Sequence, residues 1–435
     1  MLKKLKIYNN NHLKNYKLIK STVLLFISLT YISCKKDKQI ISEEEIVSPT
    51  TGTRTEFTLD SIFLYAKQIY LWNDVLPSYS DFAPRSKYRN IKPELNAFKN
   101  ELFDISQLKF NQVTGRPFEI SNHSNIPKYS YLQLGRTSGG AHAGIAYGDA
   151  VLAKSIIHLE DKVIAYLALG SFPSLNNAKS KLNEVFDEIA TEKPKYLILD
   201  LRYNGGGYVE TAEHVANLIV PSTLNGKVMY SEQFNSTLQN GKAIILRHQP
   251  YLDENGKTVM YNGRLATLAD VDYTENANTY KFNKKGTLES VQDIYIIVSG
   301  QTASASELLI SCLKPYFNVK LIGVKTYGKP VGFFGVNIDQ YAVYLSSFLI
   351  KNAQGWFDYF NGMEPDLNVV GSANPILGDP EERCLKSTLS AIRGEIQLAP
   401  KKTASISKGN VDAQSSVFNA QDNVGMIENR LKLKH

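Results

Sequence analysis

The sequence predicts an α/β fold with a largely parallel sheet, together with a small helical N-terminal domain and a β-rich insertion. Three observations support this prediction. Short apolar runs of strand length alternate with longer segments in which apolar residues recur at helical spacing. Before this alternation begins, the chain shows only helical spacing of its apolar residues, and once it has begun, a stretch rich in Asn-Gly pairs interrupts it at one place. Repeated strand–helix units favour a parallel sheet because each helix returns the chain to the same edge.

The helical N-terminal domain is predicted over residues 59–150. Apolar residues recur at helical spacing from Leu59 to Leu76, and Pro77 ends the run. Residues 80–110 have the pattern of a second, more polar helical stretch with turns. Residues 111–150 are irregular and rich in Gly, Ser and Tyr, so no regular element is predicted there.

The strand–helix units follow within residues 151–390. In chain order, we predict a strand at Val163–Leu169, a helix at Leu175–Ala190, a strand at Tyr196–Asp200, a helix at Tyr208–Val220, a strand at Asp293–Val298, a helix at Ser304–Tyr316 and a strand at Val319–Val324. Residues 221–290 separate the two halves and contain three hairpin-type pairs: Asn240-Gly241, Asn255-Gly256 and Asn262-Gly263. This segment is the predicted β-rich insertion. A C-terminal tail is predicted over 391–435, with its polar part (401–435) mobile.

The first 34 residues have the pattern of an export signal. Residues 1–33 contain six lysines and end in the uncharged run Ser21–Ser33, which is too short to span a bilayer but typical of a signal peptide. The run stops at Cys34 in a context that resembles a bacterial lipobox, so we predict lipidation of Cys34 and a flexible linker over residues 34–58. A secreted protein with an incidental cysteine stays as the alternative. The predicted location is the bacterial cell envelope, lipid-anchored and facing the periplasm or the cell surface.

Charge and cysteine content exclude several classes of protein. The formal net charge is +7, but outside residues 1–33 the chain carries 43 basic and 42 acidic residues. A nearly neutral mature chain gives no electrostatic reason to expect a nucleic-acid partner. Three cysteines cannot build a disulfide framework or a four-cysteine zinc site.

Two predicted strand ends carry unusual sequence. The first runs from Asp200 through Arg202 and Asn204 into three glycines, Gly205 to Gly207, before a helix. Such glycines allow a ligand close to the backbone and can direct N–H groups at an anion. A tight strand-to-helix turn without further function is the alternative interpretation.

The second strand end is Gly300–Glu307, which also leads into a helix. Ser304 and Glu307 match a capping box, and helix-start serines usually serve as caps. Alternatively, a serine at a sharp strand–helix turn presents its hydroxyl to a cleft, and the N–H of Ala305 favours an oxyanion nearby. A nucleophilic serine needs a base, and Lys329, directly after the third strand, is the candidate if burial lowers its pKa.

In this order, the motifs resemble the C-terminal processing (tail-specific) family of serine peptidases, which includes the tricorn core proteases. The matching residues are Asp200-Leu-Arg202-x-Asn204-x-Gly206-Gly207, Ser304-Ala-Ser306-Glu307, Gly323, Tyr327-Gly328-Lys329 and Gly362-x-x-Pro365-Asp366. The resemblance covers about residues 151–390. It implies a core similar to the ClpP/crotonase superfamily, with no metal or cofactor.

The resemblance also implies a role for each matching residue. Ser304 would be the nucleophile, Lys329 the neutral general base and Glu307 the acid that positions the lysine. The backbone N–H groups of Gly206 and Ala305 would form the oxyanion hole. The remaining loop residues would support the glycine loop: Asp200, Arg202, Asn204 and Gly207.

We therefore expect a serine endopeptidase that cleaves exported proteins or peptides through a Ser/Lys dyad and an acyl-enzyme. A PDZ domain, common in the family, is not evident in this sequence, so recognition of substrate C-termini is left open. The alternative function is a catalytically silent lipoprotein that binds peptides in the same cleft. Glycan binding through the Tyr-rich segments is a third possibility. The oligomeric state is not predicted.

Overall fold

The computed structural model describes residues 48–135, 149–253, 256–396, 398 and 430–434. The predicted signal peptide, Cys34, most of the predicted linker and residues 401–429 of the predicted tail lie outside these ranges. The described residues from Thr51 onward form one compact unit. None of the helices in the described part of the chain has the length and apolar character needed to cross a membrane.

The helices of the described residues are α1 (Arg54–Ile69), α2 (Tyr79–Phe82), α3 (Pro84–Tyr88), α4 (Glu94–Ser106), α5 (Leu175–Thr191), α6 (Val209–Ile219), α7 (Ser236–Gln239), α8 (Ala305–Leu313) and α9 (Arg383–Arg393). The strands are β1 (Phe110–Asn111), β2 (Arg116–Pro117), β3 (Tyr131–Leu134), β4 (Val151–Leu159), β5 (Lys162–Leu169), β6 (Tyr196–Asp200), β7 (Val228–Phe234), β8 (Met260–Tyr261), β9 (Arg264–Leu265), β10 (Thr279–Lys281), β11 (Asp293–Val298), β12 (Asn318–Gly323), β13 (Val331–Gly332), β14 (Gly335–Ile338), β15 (Tyr341–Tyr344), β16 (Phe348–Asn352) and β17 (Leu367–Asn368).

A six-stranded sheet with the order β17-β12-β11-β6-β5-β4 forms the centre of the protein. Its strands are parallel from β17 to β5, and only β4 at the edge runs antiparallel to its neighbour. The predicted α/β class with a largely parallel sheet is therefore confirmed. The sequence did not predict β4, whose residues are mostly only half-buried because it lies at the sheet edge.

Helices cover both faces of the central sheet. Apolar side chains of α5, α6 and α8 share one core cluster with inward-facing residues of β5, β6 and β11. On the other face, Cys384, Leu385 and Leu389 of α9 pack against the alternate residues of the same strands. Burial on both faces explains why these strands are continuous apolar runs in the sequence.

The N-terminal helices start and stop at other residues than predicted. Helix α1 begins at Arg54, inside the predicted linker, because the Thr53 side chain and Glu56 form a capping box there. It ends at Ile69 instead of Leu76. Leu59, Ile62 and other residues of α1 belong to the same hydrophobic cluster as the central sheet. The helices therefore share a core with the sheet.

The segment 221–290 contributes to a second, four-stranded sheet with the order β10-β7-β16-β13. Strand β7 pairs with β16, which lies far along the chain, so a local hairpin pattern could not predict this sheet. Asn262-Gly263 does form the turn of the short hairpin β8–β9. Asn240-Gly241 instead follows helix α7, which is capped by Asn235.

Two features of the C-terminal region differ from the predicted tail. Helix α9 lies within residues 383–393, and the side chain of Glu382 accepts hydrogen bonds from its first N–H groups. Residues 430–434 pack against the insertion: Leu431 is buried and Leu433 forms a β-bridge with Val271. The prediction of a mobile tail over 401–435 is therefore wrong for residues 430–434.

Candidate active site

The glycine loop follows the carboxyl end of β6, and its geometry requires glycine at two positions. Gly206 and Gly207 have φ angles of 101° and 136°. A Cβ atom on Gly207 would lie 2.1 Å from the carbonyl oxygen of Phe172, and one on Gly206 would lie 2.9 Å from the backbone nitrogen of Ala305. The loop therefore packs directly against the start of α8, with Gly206 beside Ser304 and Ala305.

Asp200 and Arg202 anchor this loop in a buried ionic network. The Arg202 guanidinium donates to Asp200 and, through Nη1 and Nη2, to both carboxylate oxygens of Glu382 at 2.9 Å. The hydroxyl of Tyr166 also donates to Asp200, at 2.8 Å. Together these contacts connect the glycine loop to the start of α9. Glu382 was not predicted, because nothing in the local sequence links it to Arg202.

Asn204 connects the two loops. Its Oδ1 accepts a hydrogen bond of 2.9 Å from the backbone N–H of Gly206. Its backbone carbonyl accepts from the hydroxyl of Ser306 at 3.0 Å and from the N–H of Ala303 at 3.3 Å. These bonds hold the glycine loop and residues 303–306 together.

Ser304 lies at the strand–helix turn in a strained backbone conformation. Its φ and ψ angles are 62° and −119°, a region that residues with a side chain rarely adopt. The residue is buried, and within the described part of the chain its Oγ has no hydrogen-bond partner. Of the predicted capping box, the bond from the N–H of Ser304 to Glu307 is present, at 3.0 Å. The serine hydroxyl is thus not used as a cap.

Glu307 is fully buried and joins the start of α8 to the segment that carries Lys329. Its Oε1 accepts from the hydroxyl of Thr326 at 2.6 Å and from the N–H of Gly328 at 2.7 Å. Its Oε2 accepts from the N–H of Lys329 at 2.8 Å and from that of Ser304. Burial raises the pKa of Glu307, and the hydrogen bonds counteract this rise.

Lys329 is buried beside this carboxylate, among aromatic rings. Its Nζ lies 4.6 Å from the ring centre of Phe333 and 6.0 Å from that of Tyr129. Among the described residues, Nζ has no hydrogen-bond partner. Burial lowers the pKa of Lys329 to about 7, against the opposing effect of the negative charges of Glu119 and Glu307. A large fraction of this amine is therefore neutral near pH 7 and able to accept a proton.

The two predicted oxyanion donors differ in their environment. Within the described ranges, no hydrogen bond occupies the N–H of Ala305, which begins α8. The N–H of Gly206 is engaged by Asn204, so it can bind a ligand only after the Asn204 side chain moves. Both groups lie close to Ser304 because Gly206 packs against residues 303–305.

The structure adds residues from a segment for which the sequence predicted no element. Glu119, Lys128 and Tyr129 lie around Lys329, and the Tyr129 hydroxyl donates to the carbonyl of Gly328 at 2.7 Å. Residues 111–130 are irregular in sequence and carry no periodicity or motif, so no sequence signal pointed to them. Among the residues described, no group of His, Cys, Asp or Glu side chains is arranged to hold a metal ion.

Residues 163–369 match the model of peptidase family S41. A relative from Staphylococcus epidermidis, named probable CtpA-like serine protease, is 21% identical over 276 residues, which is 61% of this chain and 46% of the relative. A Staphylococcus aureus protein of the same name is 24% identical over 183 residues, 42% of this chain and 28% of the relative. The matches thus cover less than half of these curated relatives.

Two solved structures are similar to this chain at low identity. The photosystem II D1 C-terminal processing protease has a TM-score of 0.44 and 13% identity, with 77% of this chain and 97% of that chain covered. Mature CPAF has a TM-score of 0.47 and 11% identity, with 80% and 99% covered. The family model and the curated relatives agree with the motifs at the two strand ends: residues 163–369 match peptidase family S41, and the relatives are named as CtpA-like serine proteases.

Proposed function

We propose that this protein is a serine endopeptidase that cleaves exported proteins or peptides, with Ser304 as nucleophile and Lys329 as general base. The observation that carries this proposal is the pairing made by Glu307. One buried carboxylate holds the backbones of Ser304 and Lys329 side by side, while the hydroxyl and the amine have no hydrogen-bond partner among the described residues. A buried amine with a pKa near 7 is the kind of base that a serine nucleophile needs.

The proposed reaction begins with transfer of the Ser304 Oγ proton to the neutral amine of Lys329. Oγ forms a bond to the carbonyl carbon of the substrate, and the carbonyl oxygen becomes an oxyanion. The N–H of Ala305 donates a hydrogen bond to this oxyanion. The N–H of Gly206 donates a second one after its hydrogen bond to Asn204 breaks. The ammonium of Lys329 then protonates the leaving amine as the peptide bond breaks, which leaves an ester on Ser304.

Deacylation uses the same groups. Neutral Lys329 removes a proton from a water molecule, which attacks the ester carbonyl. The oxyanion forms in the same place, and the ammonium returns its proton to Ser304 Oγ when the ester bond breaks. Glu307 acts in both stages as a positioning residue, because its hydrogen bonds reach the backbones of Ser304 and Lys329.

The experiment compares cleavage of an unfolded protein substrate by residues 35–435 and by two variants, Ser304→Ala and Lys329→Ala. Both variants should lose cleavage and retain the fold. Ser311→Ala is a matched control, because Ser311 lies within α8 and, like Ser304, is buried with a hydroxyl that has no partner in the described structure. Cleavage that persists in Ser304→Ala would contradict the proposal. An intact wild-type protein that binds peptides without cutting them would favour a silent peptide-binding lipoprotein.

We also propose that the protein is exported and anchored to a bacterial membrane through lipidated Cys34. The support is the lysine-rich, then uncharged, sequence of residues 1–33 directly before this cysteine. Fractionation of cells that express the full chain tests the anchor. Cys34→Ala should move the protein from the membrane fraction to the soluble fraction, whereas a variant that stays in the membrane fraction would contradict lipid anchoring.

A further inference from the structure

The segment 117–131, which we name the strap, covers the amine of Lys329. The Tyr129 hydroxyl donates to the carbonyl of Gly328, and its ring faces Lys329. The Tyr327 hydroxyl donates to the carbonyl of Lys128 at 3.0 Å, and Lys128 Nζ donates to the carbonyl of Phe360 at 2.6 Å. These bonds fix the strap against the segment that carries Lys329.

Glu119 of the strap is fully buried. Its carboxylate accepts hydrogen bonds from the N–H and the hydroxyl of Ser130, at 2.7 and 2.9 Å. The hydroxyl of Ser130 in turn accepts from the N–H of Ser346 at 3.0 Å. Within the described ranges, no Lys, Arg or His nitrogen forms an ion pair with Glu119. Glu119 therefore binds the residue that follows Tyr129, and the ring of Tyr129 lies 6.0 Å from Lys329 Nζ and 5.3 Å from Lys128 Nζ.

Resting on the peptidase function proposed above, we propose that Glu119 is a positioning residue that holds a negative charge towards Lys329, and that Lys128 opposes it with a positive one. The strap would in this way set the balance between the ammonium and the amine of Lys329. A carboxylate in a low-dielectric site favours a nearby ammonium, and a second ammonium disfavours it.

The charged and titratable groups that face Lys329 come from several elements. Glu307 belongs to α8, while Glu119, Lys128 and the phenol of Tyr129 belong to the strap. The negative charges of Glu119 and Glu307 raise the pKa of Lys329, and the positive charge of Lys128 lowers it. Burial raises the pKa of Glu119 itself, and its hydrogen bonds to Ser130 oppose that rise. Glu307 is committed to four hydrogen bonds, so Glu119 is the carboxylate that can be neutralised with the least disturbance of the backbone around Ser304.

The test measures the protonation of Lys329 directly, in the full chain. The ¹³Cε resonance of Lys329 is titrated by NMR in a Ser304→Ala background and assigned by its loss in Lys329→Arg. Glu119→Gln should lower the pKa of Lys329 by about one unit, and Lys128→Met should raise it. Glu101→Gln is the matched control: Glu101 is another fully buried glutamate, surrounded by Asp60 and Asp104 instead of Lys329, and its replacement should leave the titration unchanged.

The kcat/KM profile of the same variants with Ser304 intact gives the second readout. Its acid limb should move to lower pH in Glu119→Gln and to higher pH in Lys128→Met. An unchanged titration in Glu119→Gln, or shifts of the same sign in both variants, would overturn the inference. If Glu119→Gln does not fold, Lys128→Met decides alone, and a titration that is unchanged or lowered overturns it. A chain that cleaves nothing but shows opposite NMR shifts refutes the peptidase proposal while the pairing of Glu119 with Lys329 stands.

Discussion

The Oε2 atom of Glu307 accepts a hydrogen bond of 2.8 Å from the backbone N–H of Lys329. The same atom accepts from the N–H of Ser304, three residues before it in the chain. A capping contact at a helix start is thereby extended into a connection between two chain segments. The position of Lys329 relative to Ser304 depends on this one carboxylate.

Glu307→Gln should damage both stability and activity. An amide group has only one oxygen, so two of the four donors that point at Glu307 would face an NH₂ group instead of an acceptor. We expect the free energy of unfolding to fall by about 2–4 kcal/mol and kcat/KM by about 100-fold or more. Urea unfolding and steady-state kinetics measure these effects. Glu364→Gln, on the surface, is the control; equal behaviour of the two variants would contradict the role of Glu307.

The pH dependence of cleavage should follow Lys329. Because burial lowers the pKa of Lys329 to about 7, the fraction of neutral amine increases as the pH rises through that value. We expect kcat/KM to rise with one acid limb near this pH and then level off. Measurements from about pH 6 to about pH 9 would show it. A flat profile is incompatible with a lysine base that titrates in this range.

Lys329→Met should stabilise the fold while it removes activity. The pKa of Lys329 is about 7 in the folded protein, whereas the ordinary value of 10.5 applies to the unfolded chain. Between these two pH values the unfolded chain therefore binds more protons than the folded protein. Wild-type stability should therefore increase as the pH rises from about 7 to about 10. At pH 7 the variant should be more stable than the wild type by roughly 3–4 kcal/mol, and the difference should shrink towards pH 10. Parallel stability curves for the two proteins would argue against a buried neutral amine.

Gly206→Ala should disturb the site more than it disturbs the fold. The φ angle of 101° strains any residue with a side chain, and the new Cβ would lie 2.9 Å from backbone atoms of Ala303 and Ala305. We expect a loss of kcat/KM of about 100-fold or more. Gly226→Ala is the control, because Gly226 also has a positive φ but has open space at its Cβ position. That variant should lose about 1 kcal/mol of stability and keep its activity; matching kinetic losses in both would refute the prediction.

Glu382→Gln should weaken the anchor of the glycine loop. The change leaves the buried Arg202 guanidinium with Asp200 as its remaining carboxylate partner and reduces the capping of α9. We expect the free energy of unfolding to fall by about 3 kcal/mol and kcat/KM to fall with it. Glu381→Gln serves as the control, since this neighbouring side chain is exposed. Thermal unfolding and kinetics are the measurements, and a Glu382→Gln protein with the melting temperature of the control would show that the network contributes little.

The sequence alone determined the central sheet and the residue types at the two strand ends that form the candidate active site. Strands β6 and β11 are apolar runs that must be buried on both faces, so their positions and parallel pairing could be predicted from local pattern. The Ser304–Glu307 spacing and the glycine loop are also local features. Both features could be recognised before any distance was known, and they carried the resemblance to the peptidase family.

Only the tertiary structure decided what surrounds Lys329 and Arg202. Glu119, Lys128 and Tyr129 come from a segment without periodicity, and Glu382 lies 180 residues after Arg202. The same is true of the pairing of β7 with β16 and of residues 430–434 with the insertion. Local sequence reports how each segment buries its own apolar residues. The pKa of Lys329 instead depends on burial by distant segments and on their charges, because desolvation and electrostatic interactions act through space.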